Sequence, residues 1–102
     1  MKGEIKMTNI ERQRAYHEIV EHYGVEQQLN IVQEELAELI QAISKYKRNK
    51  TSCNLFNIEE EIADVDIMLK QLTVMLSISP YVINFRIDYK LNRQQQTIKE
   101  EK

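Results

Sequence analysis

Residues 26–47 read Glu26-Gln27-Gln28-Leu29-Asn30-Ile31-Val32-Gln33-Glu34-Glu35-Leu36-Ala37-Glu38-Leu39-Ile40-Gln41-Ala42-Ile43-Ser44-Lys45-Tyr46-Lys47, and the phase of this stretch decides the fold. At 100° per residue, Leu29, Val32, Leu36, Leu39, Ile40 and Ile43 share one stripe about 100° wide, the mark of a helix with one core-facing side. Glu35 borders that stripe, Glu38 lies further round, and Glu34 points well away. None of the three is followed at i+4 by Lys or Arg, so the ion pairs that usually stabilise an acidic helix are missing.

Upstream, Thr8-Asn9-Ile10-Glu11 has the form of a capping box and opens a first helix to about Tyr23. Its core side is Ile10, Tyr16, Ile19, Val20 and Tyr23, and Gly24 supplies the left-handed residue that stops it. Residues 1–7 carry no pattern and are expected to form a flexible tail. Downstream, residues 48–57 break the periodicity with polar turn formers and are expected to reverse the chain. Asn57 then reads as the N-cap of a third helix over about 58–77, with Glu59, Glu60 and Glu61 at the positive end of its dipole. Ile62, Val65, Leu69, Leu72 and Leu76 form its main stripe. Ile67, Val74 and Ile78 lie nearly opposite, and Met68 and Met75 flank Asp64. A helix apolar on two sides is buried on two sides, which in so short a chain predicts a subunit interface. Ser79-Pro80 starts a fourth helix, which fades near Gln94-Gln95-Gln96 into a charged tail, 96–102. The expectation is an all-α chain: one domain over 8–95, a four-helix antiparallel bundle-like subunit whose two central helices carry the acids, assembling into a dimer or tetramer.

Composition agrees. Two Gly, one Pro and no Trp in 102 residues favour helix, and a domain of this size buries only about two-thirds of its unfolded surface, so it gains from association. A formal charge of −2 gives no general pull toward a nucleic-acid polymer and no polybasic membrane patch. The single cysteine, Cys53, rules out an intrachain disulfide framework and a cysteine zinc site. His17 and His22 stand five apart, a spacing that does not put two imidazoles on one helical face. No apolar run reaches membrane-spanning length, and the first residues lack a signal-peptide apolar region, so a cytoplasmic protein is the default expectation.

Chemistry is concentrated in two cassettes, Glu34-Glu35-Leu36-Ala37-Glu38 and Glu61-Ile62-Ala63-Asp64, separated by 22 residues. Glu35/Glu38 and Glu61/Asp64 are i,i+3 pairs, so packing the two helices side by side brings four carboxylates together. Two such charges about 4 Å apart repel by about 1 kcal/mol in water and about 4 kcal/mol at an effective dielectric near 20, which calls for a cation among them. An all-carboxylate set selects Mg²⁺ or Mn²⁺ over zinc. Ions of this kind orient polyphosphates and activate water, and the chain offers neither a Ser/His/Asp nor a Cys/His constellation. Metal-assisted hydrolysis of a phosphoanhydride is the enzymatic reading. Arg86, Lys90 and Arg93 form a basic stripe on the fourth helix that is either a solvated face or a clamp for phosphate oxygens.

The strings Gln33-Glu34-Glu35-Leu36-Ala37-Glu38-Leu39 and Glu60-Glu61-Ile62-Ala63-Asp64-Val65, at this separation, resemble those of the MazG-type all-α nucleoside triphosphate pyrophosphohydrolases. The resemblance extends over roughly residues 20–95, including Tyr23-Gly24 and Lys90-x-x-Arg93. It implies a Mg²⁺-dependent enzyme, with Mn²⁺ as a substitute, that cleaves a nucleoside triphosphate to the monophosphate and pyrophosphate within a homodimer or homotetramer. It further implies metal ligation by Glu35, Glu38, Glu61 and Asp64, and catalytic roles for Glu34, which would orient water, and Glu38. Lys90 and Arg93 would contact phosphate, and Gln28 and Asn92 the nucleotide. Asp66 departs from the apolar residue usual in relatives. The competing reading is a non-catalytic helical oligomer that binds a nucleotide or a protein partner. A di-iron carboxylate bundle fits less well, because the paired Glu-x-x-His motif is absent.

Overall fold

The computed structural model describes residues 5–101 and is all-helical: α1 (Asn9–Tyr23), α2 (Val25–Arg48), α3 (Ser52–Met75) and α4 (Pro80–Glu101). Of the expected tail 1–7, residues 1–4 lie outside the described residues, as does Lys102 at the other end. No described helix is long and apolar enough to cross a membrane.

The helix ends follow local chemistry. The Thr8 hydroxyl accepts from Glu11 N at 3.1 Å while Glu11 Oε1 accepts from Thr8 N at 2.8 Å, completing the capping box. Gly24, at φ 90°, closes α1 through its N–H to Val20 O at 2.8 Å, and α2 begins at the next residue. A φ in that range strains any L side chain, so a glycine is required for so tight a corner. Ser79 Oγ accepts from Tyr81 N at 3.2 Å and starts α4 beside Pro80.

The expected ten-residue connection at 48–57 is corrected to Asn49–Thr51. Thr51 is the N-cap of α3, its hydroxyl accepting from Asn54 N at 3.1 Å, and Asn54 Nδ2 donates to Asn49 O at 2.8 Å. The polar residues that look like a loop are the caps and first turn of a helix, where short polar side chains satisfy backbone groups that lack intrahelical partners. Asn57 is therefore interior to α3, and Glu61 sits well beyond the reach of its N-terminal dipole. At the far end, α4 continues through the glutamines to Glu101, where the sequence suggested a tail.

The main packing is α2 against α3, with α1 packed on both; α4 has no comparable packing on any of the other three helices and contributes no buried residue. Among the described residues the buried apolar side chains are Tyr16, Val20, Val32, Ala42, Val65 and Met68, joined by Gln28 and Gln71. Gln28 Nε2 donates to Gln71 Oε1 at 2.8 Å, a buried polar pair that ties α2 to α3. This core differs in phase from the sequence expectation. On α2 it runs through Gln28, Val32 and Ala42, with Glu35 and Leu39 partly covered, whereas Leu36, Ile40 and Ile43 are exposed, Ile40 to 66 %. On α3 it runs through Val65, Met68 and Gln71, and Ile62, Leu69 and Leu76 are exposed. Ile10 and Tyr23, expected inside α1, are also exposed. The α2–α3 contact passes through this amide pair, and much of the strongest aliphatic stripe of each helix is uncovered within one chain.

Candidate metal centre

Rotation of the α2–α3 contact draws Glu35 inward, and its partner across the contact is Glu61. One carboxylate oxygen each of Glu35, Glu38 and Glu61 lies within 4.8 Å of the others; Glu35 and Glu61 are half-buried and Glu38 is exposed. Oxygens bound to one Mg²⁺ at about 2.1 Å stand roughly 3 to 4 Å apart, so small side-chain rotations would bring this set to octahedral spacing. Glu61 Oε1 is withdrawn from solvent and has no hydrogen-bond partner. A buried carboxylate oxygen without a donor is costly unless a cation meets it. The donor set is all oxygen and suits a hard divalent ion.

The electrostatics carry the same signature. Glu35 is raised above its ordinary 4.5, first by desolvation and then by the charges of Glu38, Asp64 and Glu61. Glu61 is raised by desolvation, then by Glu38, Asp64 and Glu60. No lysine or arginine is among the groups acting on either. The only ion pair among the described residues is Lys70–Asp66, 3.4 Å on an exposed face, which accounts for Asp66.

Asp64 is exposed and stands beside the trio as a neighbouring charge, not within the tight oxygen cluster. Glu34 is exposed on the outer side of α2. Lys90, Arg93 and Asn92 are exposed on α4, with Arg93 lying 6.0 Å over the Tyr89 ring, and are not gathered with the acids. Gln28, expected to contact nucleotide, lies in the interior with its amide engaged by Gln71. The Gln28–Gln71 tie was not anticipated as a structural element. Its signal was the position of Gln28 at the border of the α2 apolar stripe and of Gln71 among Ile67, Val74 and Ile78 on the second apolar side of α3.

The raised carboxyls predict a metal-reversible pH effect. A group whose folded value exceeds its unfolded value favours folding while protonated, and that contribution disappears as pH rises through the folded value. In chelator, the melting temperature of the wild type relative to a Glu35→Gln/Glu61→Gln double variant should therefore drop as pH climbs from about 4.5 toward neutrality. Millimolar Mg²⁺ should remove most of that drop for the wild type only. Parallel melting curves for the two proteins across pH, with no Mg²⁺ effect, would dissociate the trio from cation binding.

Compared with known proteins, the chain matches no family profile, no curated protein and no solved structure.

Proposed function

We propose that this protein is a metal-dependent nucleoside triphosphate pyrophosphohydrolase, converting a ribo- or deoxyribonucleoside triphosphate to its monophosphate and pyrophosphate. The observation that carries this reading is the meeting of Glu35, Glu38 and Glu61 around an unpartnered, buried carboxylate oxygen, with Asp64 alongside. Glu35, Glu38, Glu61 and Asp64 would hold Mg²⁺, or Mn²⁺ in its place. The ion supplies charge neutralisation on the polyphosphate and a more acidic bound water. Around it, Glu61 would offer its desolvated oxygen as a ligand and Glu38 would close the solvent side; a role for Glu34 in orienting water is what the resemblance implies, its side chain being exposed on α2 outside the trio. The choice of pyrophosphate as leaving group follows from the MazG-type resemblance of the two cassettes. The exposed aliphatic faces support a homodimer or homotetramer as the working form.

The test is a panel of ribo- and deoxyribonucleoside triphosphates incubated with Mg²⁺ or Mn²⁺, with products separated. Monophosphate and pyrophosphate in equal amounts, lost in chelator, are expected from at least one nucleotide. Diphosphate and orthophosphate would mean attack at the γ position and a different positioning of the chain of phosphates. Nucleotide bound in Mg²⁺ but intact after hours would replace the enzyme with a binding protein.

A further inference from the structure

The charge of this chain is unevenly spread. An overall −2 gives no general pull toward a nucleic-acid polymer, yet the stretch from Leu39 to Ile58 contains Lys45, Lys47, Arg48 and Lys50 and no Asp or Glu. All four are exposed, at the tip where α2 ends and the chain turns into α3. The dipole of α2 accounts for part of this, since it favours cations in the last turn, where Lys45, Lys47 and Arg48 stand. It does not account for Lys50, which lies outside the helix, and it supplies no counter-charge: the only ion pair among the described residues is Lys70–Asp66. Four like charges so close together repel one another and attract an extended anion.

One side of α2 joins this tip to the candidate metal centre. At 100° per residue, Glu38, Gln41, Lys45 and Arg48 fall within about 80° of arc, and all are exposed. Along the axis Lys45 stands about 10 Å and Arg48 about 15 Å beyond Glu38. On α3, Asn57 lies one turn from Glu61 toward the same tip, half-buried. The aliphatic residues Leu36, Ile40 and Ile43 are on the other side of α2, so an assembly built on them leaves the polar row open. Near the tip Phe56 is 60 % exposed, an aromatic face on which an unpaired base can stack.

A free nucleoside triphosphate carries its charge in its phosphates. With those at the carboxylates, only neutral sugar and base remain to face the cations of the tip. A strand adds a phosphate with every nucleotide, about 3.4 Å apart when stacked, so about four nucleotides span the distance from Glu38 to Arg48. We propose that the substrate is the 5′-triphosphate end of a single-stranded nucleic acid. Its triphosphate lies at Glu35, Glu38, Glu61 and Asp64, and its following phosphates on Lys45, Lys47, Arg48 and Lys50. The proposal rests on the phosphoanhydride reading for its chemistry. Water adds its oxygen to the α-phosphorus, and the bond from that phosphorus to the α–β bridging oxygen breaks. Pyrophosphate leaves with the electron pair, the proton released from water passes to solvent, and the strand keeps a 5′-monophosphate.

The experiment compares the wild type with Lys45→Gln/Lys47→Gln/Arg48→Gln/Lys50→Gln, on an RNA of about ten nucleotides with a 5′-triphosphate and on the free nucleoside triphosphate of its first base. In Mg²⁺ the wild type should have a kcat/KM for the strand at least about tenfold above that for the nucleotide. That advantage should fall with salt at a log–log slope of about −3, as four phosphate contacts on a single strand require. The variant should lose both the advantage and the slope. In a second arm that needs no turnover, fluorescence anisotropy of the same RNA with a 5′-hydroxyl end should show affinity at least about tenfold lower for the variant. A strand turned over no faster than the nucleotide, or bound equally by both proteins, overturns the proposal. So does tip-dependent sedimentation with phosphatidylserine vesicles in place of RNA binding, which would make the tip a membrane contact. RNA bound through the tip while neither substrate is hydrolysed keeps the strand site and sinks the hydrolytic reading; free nucleotide hydrolysed with RNA left unbound does the reverse.

Discussion

Replacing Glu61 by Gln is expected to abolish turnover while leaving the metal-free protein at least as stable as the wild type. The two effects have one cause. Glu61 Oε1 is withdrawn from water without a hydrogen-bond donor, and desolvation and the neighbouring charges of Glu38, Asp64 and Glu60 all disfavour its ionised form. An amide of the same shape removes that charge and relieves the repulsion on Glu35, which also counts Glu61 among its causes. The same amide is a poor ligand for a hard cation, and weakening an electrostatic contact of this kind lowers kcat by at least about a hundredfold. Initial rates at saturating Mg²⁺ together with melting curves in chelator make the measurement. A variant that is both inactive and strongly destabilised without metal would recast Glu61 as a structural residue. One that keeps its rate would remove Glu61 from the ligand set.

The second large effect is expected from Ile40→Glu. Ile40 is 66 % exposed in the single chain, on an aliphatic surface with Leu36 and Ile43, and α3 likewise exposes Ile62, Leu69 and Leu76. In one chain a glutamate there meets water and costs little. Between two chains related by a two-fold axis the charge enters the interface twice, each unpaired ion costing several kcal/mol, so the dissociation constant should rise by about a thousandfold or more. Sedimentation at micromolar concentration should pass from dimer to monomer with helix content retained, and turnover should fall with it. A dimer that tolerates the substitution would move the interface elsewhere. Ser44→Glu, on an exposed polar position of the same helix, is the control for added charge.

The way hydropathy misled along α2 and α3 explains why this second prediction is needed. A stripe such as Leu36, Ile40 and Ile43 reports which side of a helix is apolar. It does not say whether the cover comes from the same chain or another. Within the chain, the contact includes Gln28 and Gln71, whose mutual hydrogen bond lets two polar side chains occupy buried positions. No single-residue scale assigns a buried position to a glutamine, because the gain lies in the pair. The same holds at Thr51 to Asn54, where polar residues that suggest a loop satisfy a helix start.

By itself the sequence determined that the chain is helical, where α1 begins and ends, and which acids share a helical side. Capping boxes, Gly24 and i,i+3 spacing are local, and local geometry is legible without knowing what packs against it. The capping box at Thr8 and the turn at Gly24 have the expected hydrogen bonds, and Glu35, Glu38 and Glu61 meet as their spacing allows. Only the tertiary structure decided which side of α2 faces α3, that Asp64 stands beside the trio, that the basic stripe lies apart from it, and that α4 is left uncovered. Those are statements about the relative rotation of helices distant in sequence. Rotation is set by the sum of all contacts across an interface, here one that includes a buried amide pair, and no stretch read alone contains that sum.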